Sequence, residues 1–279
     1  MTLTPGPIVL AAGDIADDVQ VAAKTANLLA SIPAATVLAL GDNAYRCGSS
    51  KDYTDHYNPT WGQPSLLART RACPGNHEYS VFGCSTNGKG YFAYFAGSHQ
   101  EVWSAATKDF YSFQIQNCRW HFVSLNSEIP TDAGSPQAIW LRKNLQANGG
   151  RPILAFFHRP RFSSGHHGSN DDLQDLWALL REFGTEIVLN GHDHSYERFL
   201  QQNASQQPDA QGITAFVVGT GGRELEDKSA QAANSAVPPV KEHGVLKLVL
   251  KDHAYDWEFL ALSGHSVDAG TDHPVNPSH

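Results

Sequence analysis

Five short candidate strands, four of them largely apolar runs, each end on residues able to ligate a metal, and this recurrence limits the folds open to the chain. Ile8–Ala12 precedes Asp14. Thr36–Leu40 precedes Gly41-Asp42-Asn43-Ala44-Tyr45, and 71–74 precedes Gly75-Asn76-His77-Glu78. Residues 153–157 precede His158, and 187–189 precede Gly191-His192-Asp193-His194. Runs without polar alternation suit strands buried on both faces, as in parallel sheets. Side chains just past the carboxyl ends of such strands converge on one crevice. Asp14 and His194, far apart in sequence, can therefore meet.

The intervening pattern fits this reading. Residues 17–31 carry apolar side chains at helical spacing, which completes a right-handed βαβ unit between the first two runs. Residues 66–73 lead as a strand into a turn. Residues 110–115 and 120–125 alternate as an antiparallel hairpin. Residues 135–148 and 171–183 read as helices, the second with Asp at its start, where the helix dipole favours it. Residues 152–157 and 186–189 read as buried strands. The last third is β-rich: Ile213–Val218, 244–251 and 255–262 read as strands, with polar loops over 201–212 and 225–242. The expected fold class is α/β, a four-layer αββα sandwich of two mixed β-sheets flanked by helices. One domain is expected over 1–262, with a polar, flexible tail over 263–279.

Composition narrows the partners. Hydrophobic residues form 41% of the 279 residues, enough for a sizeable core in one large domain or at most two. The net charge of −8 and the lack of a basic patch argue against nucleic acid or an anionic membrane as a general partner. No apolar stretch is long enough to span a bilayer. A monomer or weak oligomer is expected. The N-terminus lacks the basic start and apolar core of a secretory leader. Location stays open, with a secreted or periplasmic site expected if a presequence precedes residue 1. Cys47 and Cys84 lie in Gly/Ser-rich loops where a disulfide would be useful. Cys73 and Cys118 flank strand-like segments and read as free thiols. No cysteine spacing matches a structural zinc site.

The convergent set is chemically coherent. Asp14, Asp42, Tyr45, Asn76, His158, His192 and His194 offer carboxylates, imidazoles, an amide oxygen and a phenol. Such oxygen and nitrogen donors suit zinc, iron, manganese or cobalt better than Cu(I) or an all-oxygen calcium site. Seven groups exceed what one tetrahedral ion needs. They suit two ions sharing a carboxylate, the recurring clamp of phosphoryl hydrolysis. Singly, each cluster has a plainer reading: Gly-Asp as a turn, a lone His as a hydrogen-bonded structural residue, Tyr45 as a buried aromatic. Their joint recurrence favours the metal site. The glycines before Asp42, Asn76 and His192 are expected to let the backbone turn sharply after each strand.

Taken together, these motifs resemble the calcineurin-like metallophosphoesterase superfamily. Its pattern is an early Asp, a Gly-Asp, a Gly-Asn-His, a later His and a Gly-His-x-His, all present here in that order. Within it the chain resembles the purple acid phosphatases. Most members place a metal-binding His two residues after the first Asp, where this chain has Ala16. The purple branch has Gly there and adds a Tyr three residues after the second Asp, the place of Tyr45. The segment from Gly191 to Arg198 is also similar to that branch.

The resemblance implies that Asp14, Asp42, Tyr45 and His194 hold a first metal, often Fe3+. It implies that Asp42, Asn76, His158 and His192 hold a second, Zn2+, Fe2+ or Mn2+, with Asp42 bridging. His77 would face the substrate as phosphate binder or general acid. His166 and His167 are similar to a histidine pair of the plant members, one residue closer to the preceding His; a solvated loop pair is their plainer reading. The implied activity is hydrolysis of small-molecule phosphate monoesters by a metal-bound hydroxide. A phosphodiesterase on the same metals and a non-catalytic scaffold of the same fold are the alternatives. The His-x-His-x-Asp-His of di-zinc β-lactamase-type hydrolases is absent. Too few residues precede Asp14 for the extra β-domain of plant members, so plant-like dimerisation is not expected.

Overall fold

The apolar runs are strands, and pairing in parallel brings their carboxyl ends to one edge. A computed structural model describes residues 6–81, 83–97 and 109–273. In chain order the strands are β1 (Ile8–Ala12), β2 (Thr36–Leu40), β3 (Thr70–Cys73), β4 (Ser80–Val81), β5 (Cys84–Ser85), β6 (Tyr111–Gln114), β7 (His121–Ser124) and β8 (Ile153–Phe156). They continue with β9 (Thr185–Asn190), β10 (Tyr196–Gln202), β11 (Ile213–Val218), β12 (Ser235–Val240), β13 (Gly244–Leu250), β14 (Tyr255–Ala261) and β15 (Ser266–Asp272). One sheet has the order β15-β14-β13-β1-β2-β3 and the other β12-β10-β11-β9-β8-β7-β6, while β4 and β5 form a separate small hairpin. β1, β2 and β3 run parallel, as do β7, β8, β9 and β11; the remaining pairs are antiparallel. Both sheets are therefore mixed.

Alternation along the second sheet separates two cores. Phe122, Leu154, Phe156, Ile187, Leu189, Phe216 and Val218 join the core shared with the first sheet. Their neighbours Val123, Ala155, Phe157, Val188 and Val217 face outward against Leu141, Leu145, Leu176 and Leu180. Those leucines lie on helices Pro136–Ala147 and Gln174–Glu182. Full burial of each contributes about 1.5–3 kcal/mol. The Ser135 hydroxyl accepts the Ala138 N–H and starts the first of these helices. Helix Val19–Ala30, capped by the Asp18 carboxylate, packs Ala22, Ala26 and Leu29 into the core of the first sheet. The helix-sheet-sheet-helix layering follows.

Two expectations are corrected. The expected flexible tail from 263 instead supplies β15, which pairs with β14 along the sheet edge. Asp268 explains the docking: its buried carboxylate accepts hydrogen bonds from Tyr196 Oη (2.7 Å), Arg198 Nε (2.7 Å) and Trp257 Nε1 (3.0 Å). Residues 274–279 of that tail lie outside the described residues. The expected polar loop over 225–242 contains β12, an edge strand on β10 that tolerates Pro238 and Pro239. Cys47 and Cys84 form a disulfide, and Cys73 and Cys118 are free. No helix among the described residues is long and apolar enough to cross a membrane.

Candidate metal centre

Every ligand-type residue sits at the carboxyl end of a parallel strand: Asp14 past β1, Asp42 and Tyr45 past β2, Asn76 and His77 past β3, His158 past β8, His192 and His194 past β9. The strand ends are stitched together across both sheets. Gly13 N–H donates to Val218 O at 2.9 Å, and Gly191 N–H to His158 O at 3.0 Å. Asp14, Asp42 and His192 adopt positive φ (57°, 48° and 73°). Such left-handed backbone is uncommon outside glycine and concentrates at functional sites.

Each carboxylate has one oxygen fixed by a backbone amide and one aimed inward. His192 N–H donates to Asp14 Oδ2, and His77 N–H to Asp42 Oδ1, both at 2.8 Å. The inward Asp14 Oδ1 lies 3.0 Å from Tyr45 Oη and 3.5 Å from His194 Nε2. The inward Asp42 Oδ2 lies 3.3 Å from Tyr45 Oη and 3.3 Å from His158 Nε2. His158 Nε2 is also 3.0 Å from Asn76 Oδ1 and 3.2 Å from His192 Nδ1. Two clusters therefore meet at Asp42 Oδ2. One gathers Asp14, Tyr45 and His194; the other gathers Asn76, His158 and His192. Ligand atoms of Asp14, Asp42 and His158 lie within 4.8 Å of one another.

Second contacts fix which ring nitrogens face inward. His158 Nδ1–H donates to Leu40 O at 2.9 Å, so Nε2 is presented to the cluster. His77 Nδ1–H donates to Arg46 O at 2.6 Å, which leaves Nε2 facing Asp42 Oδ2 at 3.8 Å. The charge balance also fits cations. Burial works to lower the His158 pKa, but Asp42 and Asp14 outweigh it and lift it to about 10. Burial raises the Asp42 pKa, yet His158 and His77 prevail and hold it well below the usual carboxylate range. Burial, then Asp14 and Asp42, keeps the Tyr45 phenol protonated. Burial and then His158 keep the His192 imidazole neutral, the form that ligates. Protons thus occupy ligand atoms that a cation would share.

The glycines act differently from the expectation. Gly41 has the left-handed φ of 86° that a sharp turn requires. Gly75 and Gly191 do not; they are needed because a Cβ has no room. It would lie 2.3 Å from Asp42 Oδ1 at Gly75 and 2.6 Å from Asp14 Oδ2 at Gly191. Ala16 is fully buried, and its N–H donates to Asn43 O at 3.1 Å. Tyr45 N–H returns to Ala16 O at 3.2 Å, so the residue that cannot ligate helps position the one that can.

Of the paired histidines, His167 reaches the centre. Its ring stacks on His192 at 4.3 Å and lies 6.0 Å from His194. His166 is exposed on the rim with its ring 5.3 Å from His167. The loop carrying both is held by Glu197, which accepts Ser164 N–H (2.9 Å) and Oγ–H (2.6 Å), and by Asp193, which accepts His167 N–H (2.7 Å).

Sequence reasoning missed Glu78. Its fully buried carboxylate accepts the N–H groups of Asn43 (2.8 Å), Ala44 (3.2 Å) and Gly75 (2.8 Å) and the Tyr53 hydroxyl (3.1 Å). It locks the loop bearing Asp42 to the loop bearing Asn76. Burial, then Asp42, pushes its pKa up to about 8 against these donors. A Glu three residues after a glycine at a helix start was the available signal. Arg159 was also missed: it forks onto Glu128 at 2.9–3.1 Å and reaches His192 Nε2 at 3.4 Å.

The calcineurin-like phosphoesterase family model matches residues 7–196, a span that holds all seven ligand-type residues. The chain belongs to the calcineurin-like phosphoesterase family. Within that family, the curated proteins it is similar to include purple acid phosphatases. Purple acid phosphatase 15 of Arabidopsis thaliana is 33% identical over 155 residues, covering 53% of this chain and 28% of that protein. Purple acid phosphatase 22 of Arabidopsis thaliana is 27% identical over 217 residues, covering 71% of this chain and 49% of that protein. The chain thus spans half or less of the length of these two relatives. Purple acid phosphatase PPD1 from yellow lupin seeds shares the fold, with a TM-score of 0.75 at 18% identity over 95% of this chain and 53% of that one. The family implies a dimetal centre, and the convergent residues form a candidate site for it.

Proposed function

We propose that the chain hydrolyses small-molecule phosphate monoesters at a binuclear metal centre. The observation that supports this most is the meeting of two ligand clusters at Asp42 Oδ2. Asp14, Asp42, Tyr45 and His194 would hold the first ion. Carboxylates and a phenolate are hard anionic donors, which favours Fe3+ there. Asp42, Asn76, His158 and His192 would hold a divalent ion, Zn2+, Fe2+ or Mn2+. When bound, the two cations neutralise phosphoryl charge and acidify water in the site.

The chain's own groups supply orientation and proton transfer. His77 Nε2 faces the bridging carboxylate, with the ring braced on Tyr45 at a centroid distance of 4.4 Å. From there it can bind a phosphoryl oxygen or protonate the leaving alcohol. His167, stacked on His192, would serve as a second phosphate contact, with His166 further out. No Ser or Cys nucleophile is needed. The Cys47–Cys84 disulfide supports a secreted or periplasmic location.

Turnover of p-nitrophenyl phosphate against its bis-ester tests the reading. Faster hydrolysis of the monoester is expected; preference for the bis-ester would move the assignment to phosphodiesterase. Asp42→Asn and His192→Ala should each lose metal and activity together. Parental metal content and turnover in both variants would overturn the proposal.

A further inference from the structure

Glu226 lies outside the ligand set, yet its carboxylate stands between two histidines of the site. Its Oε2 is 3.6 Å from His194 Nδ1 and 3.7 Å from His167 Nε2. Oε2 and His194 Nδ1 are both buried without a hydrogen-bond partner. Two complementary polar atoms, each otherwise unsatisfied, thus face one another. The backbone holds them there: Glu226 N–H donates to His194 O at 3.0 Å, which ties the glutamate to the histidine it faces. The flanking segment is pinned at both ends. Arg223 N–H donates to Asp14 O (2.8 Å), Ser229 N–H to Ser164 O (3.0 Å) and Ser229 Oγ to Gly165 O (2.7 Å).

His194 turns Nε2 toward Asp14 Oδ1 at 3.5 Å. A ring that ligates through Nε2 must carry its proton on Nδ1, and a carboxylate beside Nδ1 fixes that tautomer and the ring plane. On the other side, the solvent-facing His167 lies between His192 and the same Glu226 oxygen.

We propose that Glu226 is a positioning residue that sets the tautomer and orientation of His194 toward the first metal and aligns His167 with it through the same carboxylate. This rests on the binuclear reading above. One carboxylate would then couple a metal ligand to a substrate-facing histidine.

The test uses the intact chain, stripped with chelator and titrated with zinc, for the parent, Glu226→Ala and Glu226→Gln. The parent should bind two ions. Glu226→Ala should keep one site at parental affinity and weaken the other about 10–100-fold. Glu226→Gln, which keeps the size and an acceptor oxygen, should recover part of that loss. Nitrogen-15 NMR of the zinc-loaded parent should place the His194 proton on Nδ1, and Glu226→Ala should shift that Nδ1 signal, a readout that a purely structural role would not move. A His194 proton on Nε2 in the parent overturns the proposal whatever the variants do, as does parental zinc affinity at both sites in Glu226→Ala. Fewer than two ions in the parent would defeat the binuclear reading instead, so the two failures are distinguishable.

Discussion

Replacing Gly75 by Ala adds one methyl group where the structure leaves no space for it. Gly75 has extended backbone with φ −123°, so alanine meets no conformational penalty there. The effect is steric alone. The new Cβ would lie 2.3 Å from Asp42 Oδ1, 2.5 Å from Asp42 N and 2.8 Å from His158 Cδ2. Comfortable contact is near 3.5 Å, so a displacement of roughly 1 Å is forced. Asp42 Oδ1 is tied to His77 N–H and Gly75 N–H to Glu78, each at 2.8 Å, so the shift passes directly to the Asp42 carboxylate. Overpacking of this kind costs about 1–3 kcal/mol, or a fall of about 2–10 °C in Tm. Moving a catalytic group by about 1 Å costs of order 10²-fold in rate. Calorimetry, zinc titration and p-nitrophenyl phosphate turnover would read these effects. Gly149→Ala, whose Cβ would meet Gln146 O at an ordinary 3.7 Å, is the matched control. Parental metal content and turnover in Gly75→Ala would refute the claim that a crowded Gly75 fixes Asp42.

His77→Ala should keep both metals and lose about 10²–10⁴-fold in turnover, as expected for a lost proton donor; parental turnover on an aryl phosphate would show that His77 is not catalytic. His167→Ala should impair KM more than His166→Ala, because only His167 packs against a ligand ring. Metal affinity should rise with pH: the raised His158 pKa of about 10 means ligation below that pH must expel a proton. A pH-independent zinc affinity between pH 6 and 9 would contradict the protonated His158–Asp42 pair. Denatured, unreduced protein should titrate two free thiols, and the double variant Cys47→Ser/Cys84→Ser should be about 2–4 kcal/mol less stable; four free thiols would exclude the bridge.

The parallel half of the fold was legible because burial on both faces writes itself as unbroken apolar runs such as Val9–Ala12 and Val37–Leu40. The edges were not. β12 carries two prolines, and β15 reads Ser-Val-Asp-Ala-Gly-Thr-Asp, without an apolar period. Its place is set by Asp268 reaching Tyr196, Arg198 and Trp257, a contact between distant segments that no local window contains. The same asymmetry holds at the site. Ligand-type residues stand out by chemistry and by position after strands. Glu78 and Glu226 act by fixing backbone amides and ring nitrogens, and Gly75 by being absent beyond its Cα. Those roles exist only once the loops have met.

Elemental analysis of protein purified without chelators, read beside its visible spectrum, tests the central claim most directly. Two transition-metal ions per chain are predicted, with a phenolate-to-iron charge-transfer band that Tyr45→Phe abolishes. Two zinc ions in a colourless protein would retain the binuclear centre and remove iron from it. A chain that binds no metal, or that keeps both ions after Asp42→Ala, would contradict the account.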